Sequence, residues 1–131
     1  MVCVQNRYFL GASAEEHAFV DACGKQGIAF VPFFSIAGTG RGAGVSGSEH
    51  EEVLSAARAH GATAAQARLA WTLQRGPHVL VIPGTGDPAH LAANVAAGAL
   101  RLTAGEVARL TSLRGSEGDN RLRMAGRVRE D

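Results

Sequence analysis

The residues best suited to chemistry lie in one short stretch. Ile82-Pro83-Gly84-Thr85-Gly86-Asp87 runs from an apolar segment into a turn, and Asp87-Pro88 then opens a helix. Asp is a good N-cap, and Pro suits the first helical position. Small residues leave backbone N–H groups accessible, and a helix N-terminus favours an anion such as a phosphate. Taken alone, these residues read equally well as an ordinary strand-to-helix turn. His90 falls in the first turn of the helix, where an imidazole either meets a phosphate or simply faces water. A second stretch, Gly38-Thr39-Gly40-Arg41-Gly42-Ala43-Gly44, is rich enough in glycine to bring backbone close to an anion. Within it, Gly42-x-Gly44-x-x-Gly47 formally matches a dinucleotide fingerprint. The loop is too long for the tight strand-to-helix turn of that motif, and no acidic residue closes a second strand about 20 residues on. A glycine loop without a ligand fits better.

Other reactive side chains are scattered. His17, His50, His60 and His78 have no metal-ligand spacing with Asp, Glu or Cys, and Cys3 and Cys23 read as two reduced thiols. Ser13 and Ser35 have no recognisable nucleophile context, and no pair of carboxylates forms an acid–base dyad. Trp71, at helical spacing, reads as core. No catalytic residue and no metal ligand is assigned. The net charge of +1 gives no electrostatic case for nucleic acid or a membrane surface. No apolar stretch approaches the roughly 18 residues of a membrane span, and no signal peptide is evident at residue 1. A cytoplasmic location is expected.

These residues must be positioned by the elements around them. Strands are expected at Val2–Gln5, Ile28–Phe33 and Val79–Pro83. The last two are near-continuous apolar runs, as in strands buried on both faces of a parallel sheet. Four capping boxes mark helix starts: Ser13/Glu16, Ser48/Glu51, Thr63/Gln66 and Thr103/Glu106. Gly24 or Gly27, Gly61 and Gly76-Pro77 mark stops. Helices are expected over 14–24, 49–60, 64–75, 88–98 and 104–113, with Val53, Leu54 and Ala57 sharing one face. Strand–helix–strand alternation predicts an α/β fold of parallel βα units. Residues 114–131 carry interleaved Arg, Glu and Asp with few apolar residues, and read as a mobile charged tail.

Five segments, in order, resemble the aldo-keto reductase family over about residues 2–113. Val4-Gln5-Asn6-x-Tyr8 is similar to the family's sixth strand, and Gly27-Ile28-x-Phe30-Val31-Pro32-Phe33-Phe34-Ser35-Ile36-Ala37 to its seventh. Thr63-Ala64-Ala65-Gln66-Ala67-x-Leu69-Ala70-Trp71 resembles a characteristic helix. Val81-Ile82-Pro83-Gly84-Thr85 with His90-Leu91-x-x-Asn94 resembles the eighth-strand NADP site, and Leu102-Thr103-x-x-Glu106 a later helix start. The resemblance implies a partial (β/α)8 TIM barrel, made of three parallel βα units plus extra C-terminal helices over 1–113.

It also implies NADP as cofactor, position by position. Gln5 would bond the nicotinamide carboxamide and Phe33 would stack on its ring. Ser35, Ile36, Ala37 and Gly38 would sit by the pyrophosphate. Gly84 and Thr85 would meet the adenosine 2′-phosphate, with His90 beside them, and Asn94 the adenine edge. His90 stands where many members have an arginine, and an imidazole is a weaker phosphate partner than a bidentate guanidinium. Ala93 stands where a Glu often helps hold adenine. The family's catalytic Tyr, Lys, Asp and His lie on earlier strands, and Tyr8 does not match the catalytic tyrosine motif. The chain is therefore expected to be a C-terminal fragment, through a truncated gene, a mis-called start or a split protein. It would act on a small carbonyl substrate only if completed by an N-terminal part. Alone it is expected to be inactive and to self-associate through unpaired strand edges. A non-catalytic nucleotide-binding or interaction module is the alternative.

Overall fold

A computed structural model describes residues 2–33 and 51–113. Strands β1 (Cys3–Arg7) and β2 (Ala29–Phe33) pair in parallel, with Cys3 opposite Ala29 and Arg7 opposite Phe33. Helix α1 (Ala14–Lys25) makes the crossover that a parallel pair requires. Its start is the Ser13/Glu16 capping box, formed in both directions. Gly27 stops it, not Gly24. Gly27 takes φ +68°, its N–H bonds the Gly24 carbonyl, and the Ile28 N–H reaches the Cys23 carbonyl. This paired closure joins the Gln26 N–H in satisfying the last carbonyls of the helix, and a left-handed φ favours glycine.

The remaining elements are helical: α2 (Glu51–Ala59), α3 (Ala64–Leu73), α4 (Pro88–Ala96), a 3-10 turn at Ala97–Ala99, and α5 (Ala104–Thr111). Helices α3, α4 and α5 begin where Thr63/Gln66, Asp87-Pro88 and Thr103/Glu106 place them, and Gly61 (φ +62°) closes α2. Helices α3 and α5 end two residues earlier than the sequence pattern suggests, and α4 passes into the 3-10 turn. The Ser48 side of the α2 capping box, the glycine loop and the 114–131 tail lie outside the described residues.

The expected third strand differs. Over Val79–Pro83 the chain makes a single parallel bridge, Val79 to Phe30, and no strand. The Phe30 N–H donates to the His78 carbonyl at 2.8 Å, and the Leu80 N–H to the Phe30 carbonyl at 2.9 Å. By strand alternation the next rung would need an N–H from residue 32. Pro32 has none, so the ladder stops after one repeat. The run is not buried on both faces either: Leu80 is 56% and Ile82 50% exposed.

One core joins the sheet to the helices. Tyr8 stacks on Trp71, with centroids 5.5 Å apart, and meets Phe30 edge-on. Val20, Val53 and Leu110 are fully buried around them. The Trp71 indole N–H donates to Thr111 Oγ1 at 3.0 Å, and the Gln74 amide bonds both the N–H and the carbonyl of Leu102. His78 locks the start of the third segment. Its Nε2 donates to the Val20 carbonyl at 2.8 Å, with the ring lodged between two glycines. A Cβ at Gly24 would lie 2.7 Å from the ring, and one at Gly76 2.6 Å.

Two tests follow from this packing. Gly24→Ala and Gly76→Ala should each destabilise the fold by about 1–3 kcal/mol through overpacking, read from urea unfolding. In a His78→Ala background the cost of either should largely vanish, and an unchanged cost there would contradict the lock. The second test concerns Glu106, which is buried and lies 2.8 Å from His60 Nε2. The hydrogen bond from His60, with those from Thr103, holds its carboxyl below the usual carboxylate range despite burial. A depressed folded pKa contributes stability above the unfolded value and loses it as pH falls through the folded one. Thermal unfolding between about pH 7 and pH 3 should therefore show a smaller acid loss in Glu106→Gln than in wild type.

Candidate functional site

A cleft of about 390 Å³ opens where two helix N-termini meet. Thr63, Ala65 and Gln66 line it from the start of α3. Gly84, Thr85, His90, Ala93 and Asn94 line it from the turn before α4 and from α4 itself. The volume falls within the roughly 300–1,000 Å³ of small-molecule pockets. Each wall is fixed by local chemistry. The Thr63 hydroxyl accepts the Gln66 N–H at 3.1 Å, and Gln66 Oε1 accepts the Thr63 N–H at 3.0 Å. Gln66 Nε2 then reaches across to the Ala93 carbonyl at 2.9 Å and ties α3 to α4.

On the α4 side, the Asp87 carboxylate accepts the Ala89 N–H at 2.8 Å, and the Asp87 N–H donates to Thr85 Oγ1 at 3.1 Å. With that lone pair engaged, the Thr85 hydroxyl proton is left to donate elsewhere. His90 is largely exposed, with Nδ1 3.9 Å from an Asp87 carboxylate oxygen. An added Cβ at Gly84 or Gly86 would meet nothing within 4 Å, and neither takes a positive φ. Protein packing does not demand glycine there, and the backbone of the turn stays open. Two helix N-termini, two hydroxyls, two side-chain amides and one imidazole around a concave surface suit an anion attached to a flat polar ring.

Four of the residues singled out in the sequence, Gly84, Thr85, His90 and Asn94, therefore share one cleft. Phe33 sits half-buried at the carboxyl end of β2. The parallel bridge puts the 83–87 turn at that same end of the sheet. Gln5 is exposed on β1 opposite Val31. Neither Phe33 nor Gln5 lines the cleft. Ser35, Ile36, Ala37 and Gly38 lie outside the described residues. Thr63 and Gln66 were legible only as a helix cap, yet they form one wall.

Tyr8 has a different place. Its hydroxyl lies 2.7 Å from His17 Nδ1, and burial pushes it far above the ordinary phenol value, so it stays neutral in the core. Among the described residues no group of three or more His, Cys, Asp or Glu is placed to hold a metal. None of the described helices is long and apolar enough to cross a membrane.

Parallel strands, a helical crossover and a cleft at the carboxyl end of the sheet define an α/β protein. The chain belongs to the aldo/keto reductase family, whose sequence pattern matches residues 1–114. It is 42% identical over 103 residues to pyridoxine 4-dehydrogenase of Escherichia coli (strain K12), a match covering 79% of this chain and 34% of that protein. It is 30% identical over 110 residues to an uncharacterised oxidoreductase of Schizosaccharomyces pombe, covering 84% and 34%. The chain thus spans about a third of the length of these relatives. Among solved structures, a thermostable aldo-keto reductase crystallised with epalrestat superposes with a TM-score of 0.71 at 29% identity, over 84% of this chain and 39% of that one. An aldo-keto reductase from Klebsiella pneumoniae in complex with NADPH gives 0.70 at 28% identity, over 83% and 38%. These neighbours imply the (β/α)8 barrel as the parent fold.

Proposed function

We propose that this chain is the C-terminal part of an NADP-dependent aldo-keto reductase, corresponding to strands six to eight of the barrel, and carries part of the cofactor site but not the catalytic tetrad. The observation that carries the reading is the shared cleft of Gly84, Thr85, His90 and Asn94 between two helix N-termini. The groups present fit the adenosine end of the cofactor. The Thr85 hydroxyl and His90 would meet the 2′-phosphate, and the Asn94 amide, with donor and acceptor, the adenine edge. Gln5 and Phe33, nearer the sheet, would hold the carboxamide and face of the nicotinamide. Ser35, Ile36, Ala37 and Gly38 would lie along the pyrophosphate. The bound nicotinamide would supply a hydride to a small carbonyl substrate.

The proton donor for that reduction is not among these residues. Tyr8 is neutral, buried and hydrogen-bonded to His17. The family's catalytic Tyr, Lys, Asp and His would come from another part of the barrel, in the cytoplasm. That part would also complete the ladder at 79–83 and cover Leu80 and Ile82, through which the chain by itself would self-associate. The same buried Tyr8 favours a second reading, a nucleotide-binding module without turnover.

Both readings require binding, and turnover separates them from an enzyme complete in this chain. Calorimetry with NADPH should show saturable binding, weakened about three- to tenfold by Thr85→Ala or Asn94→Ala through one lost hydrogen bond each. A flat titration would remove both readings. Purified chain should not oxidise NADPH with a panel of aldehydes, and sustained reduction would refute the assignment of the catalytic groups elsewhere.

A further inference from the structure

Helix α4 forms two surfaces. His90, Ala93 and Asn94 line the cleft. At about 100° per residue, Pro88, Leu91, Ala92 and Val95 make another face, and every one of them is apolar and exposed. No residue of α4 is buried, with Leu91 56% and Val95 71% exposed. The helix takes its packing from α3 and the 3-10 turn. The segment leading into it has an open side as well. The carbonyls of Val79 and Val81 and the Val81 N–H take no hydrogen bond among the described residues. Strand alternation turns these groups away from β2, since the His78 carbonyl and the Leu80 N–H are the ones that bond Phe30. Val79 is buried in the core shared with the helices, so Leu80 and Ile82 lie on the opposite face.

Helix α1 covers the step from β1 to β2. In the same right-handed order, α4 covers the place beyond the free edge of 79–83. A strand laid there would bond that edge, pass under Leu91 and Val95 on one face and continue beside Leu80 and Ile82 on the other. A strand buried on both faces is a near-continuous apolar run. The chain spans about a third of the length of its relatives, and the remainder of such a protein is long enough to supply one. A helix without a buried residue lies at the low-stability end of a fold. Anchoring α4 by its apolar face would steady His90, Ala93 and Asn94 on its cleft face, and two sites coupled in this way strengthen each other by the same factor. We propose that α4 and the free edge of 79–83 form one docking slot for an apolar strand, parallel to 79–83, from the rest of the barrel, and that filling the slot tightens nucleotide binding in the cleft. The inference rests on the barrel and cofactor reading above.

The test is co-expression of the full chain with the part of the Escherichia coli pyridoxine 4-dehydrogenase outside the 103-residue match. A one-to-one complex is expected by size-exclusion chromatography with light scattering. Calorimetry with adenosine 2′,5′-bisphosphate, which carries only the adenosine end, should show binding about tenfold tighter in the complex than in the chain alone. Val95→Ser should bind the probe as wild type does when alone, and lose most of the gain in the complex. Leu80→Ser, on the strand and not on α4, should weaken the complex while keeping the gain. Absence of a complex overturns the slot. So does a homodimer that persists beside the added part and is broken by Val95→Ser, which makes a second copy the occupant. A complex without the gain, or with a gain that Val95→Ser leaves intact, overturns the coupling. In all of these cases, binding of the probe by the chain alone leaves the cofactor reading standing. Failure of the probe to bind either the chain or the complex removes both.

Discussion

The backbone of Phe30 joins three parts of the molecule. Its neighbours along β2 bond β1, as in the Ala29 N–H to the Val2 carbonyl, while its own N–H and carbonyl bond His78 and Leu80. Its ring closes the core against Tyr8 and Phe19. Nothing else in the described sheet ties the 79–83 segment to the strands. The turn at 83–87 follows from this one bridge and the His78 lock just before it, while the α4 wall of the cleft is held as well by Gln66 and by packing on α3. A Pro at residue 32 removes the N–H that would bond the Leu80 carbonyl on that side.

The second determinant is a set of helix ends. The cleft is made of the first turns of α3 and α4, each with its cap already satisfied by its own side chains. The Gln66 to Ala93 hydrogen bond sets their separation. Such a site needs no movement to present donors to an anion, because capping leaves the dipoles and the outward hydroxyl of Thr85 in place. The site also lies on the side of the sheet where α/β proteins bind nucleotides. Among the described residues, the chemistry of the cleft is polar and nearly uncharged, with His90 and Asp87 as an ionisable pair at its edge.

Helix starts were legible because capping is local. Ser13, Thr63, Thr103 and Asp87 each sit within three residues of the groups they bond. The third strand was not, because its fate depends on another strand: Val79–Ile82 has a strong strand pattern, yet Pro32, nearly fifty residues earlier, removes the partner N–H. Leu80 and Ile82 are apolar yet stand exposed among the described residues. The cleft was half legible. Gly84, Thr85, His90 and Asn94 lie close in sequence, whereas Thr63 and Gln66 join them only through the packing of α3 on α4. The pairs His60–Glu106 and Tyr8–His17, 46 and nine residues apart, carried no local signal at all.

The central claim is that the cleft between α3 and α4 holds the adenosine end of a nicotinamide nucleotide. The most direct measurement is a nuclear magnetic resonance titration of the isotope-labelled chain with NADPH, following each backbone amide. The account predicts saturable shifts concentrated at Gly84, Thr85, His90 and Asn94 and in the first turn of α3, with α5 unaffected. Shifts confined to other surfaces, or none at saturating nucleotide, would contradict it.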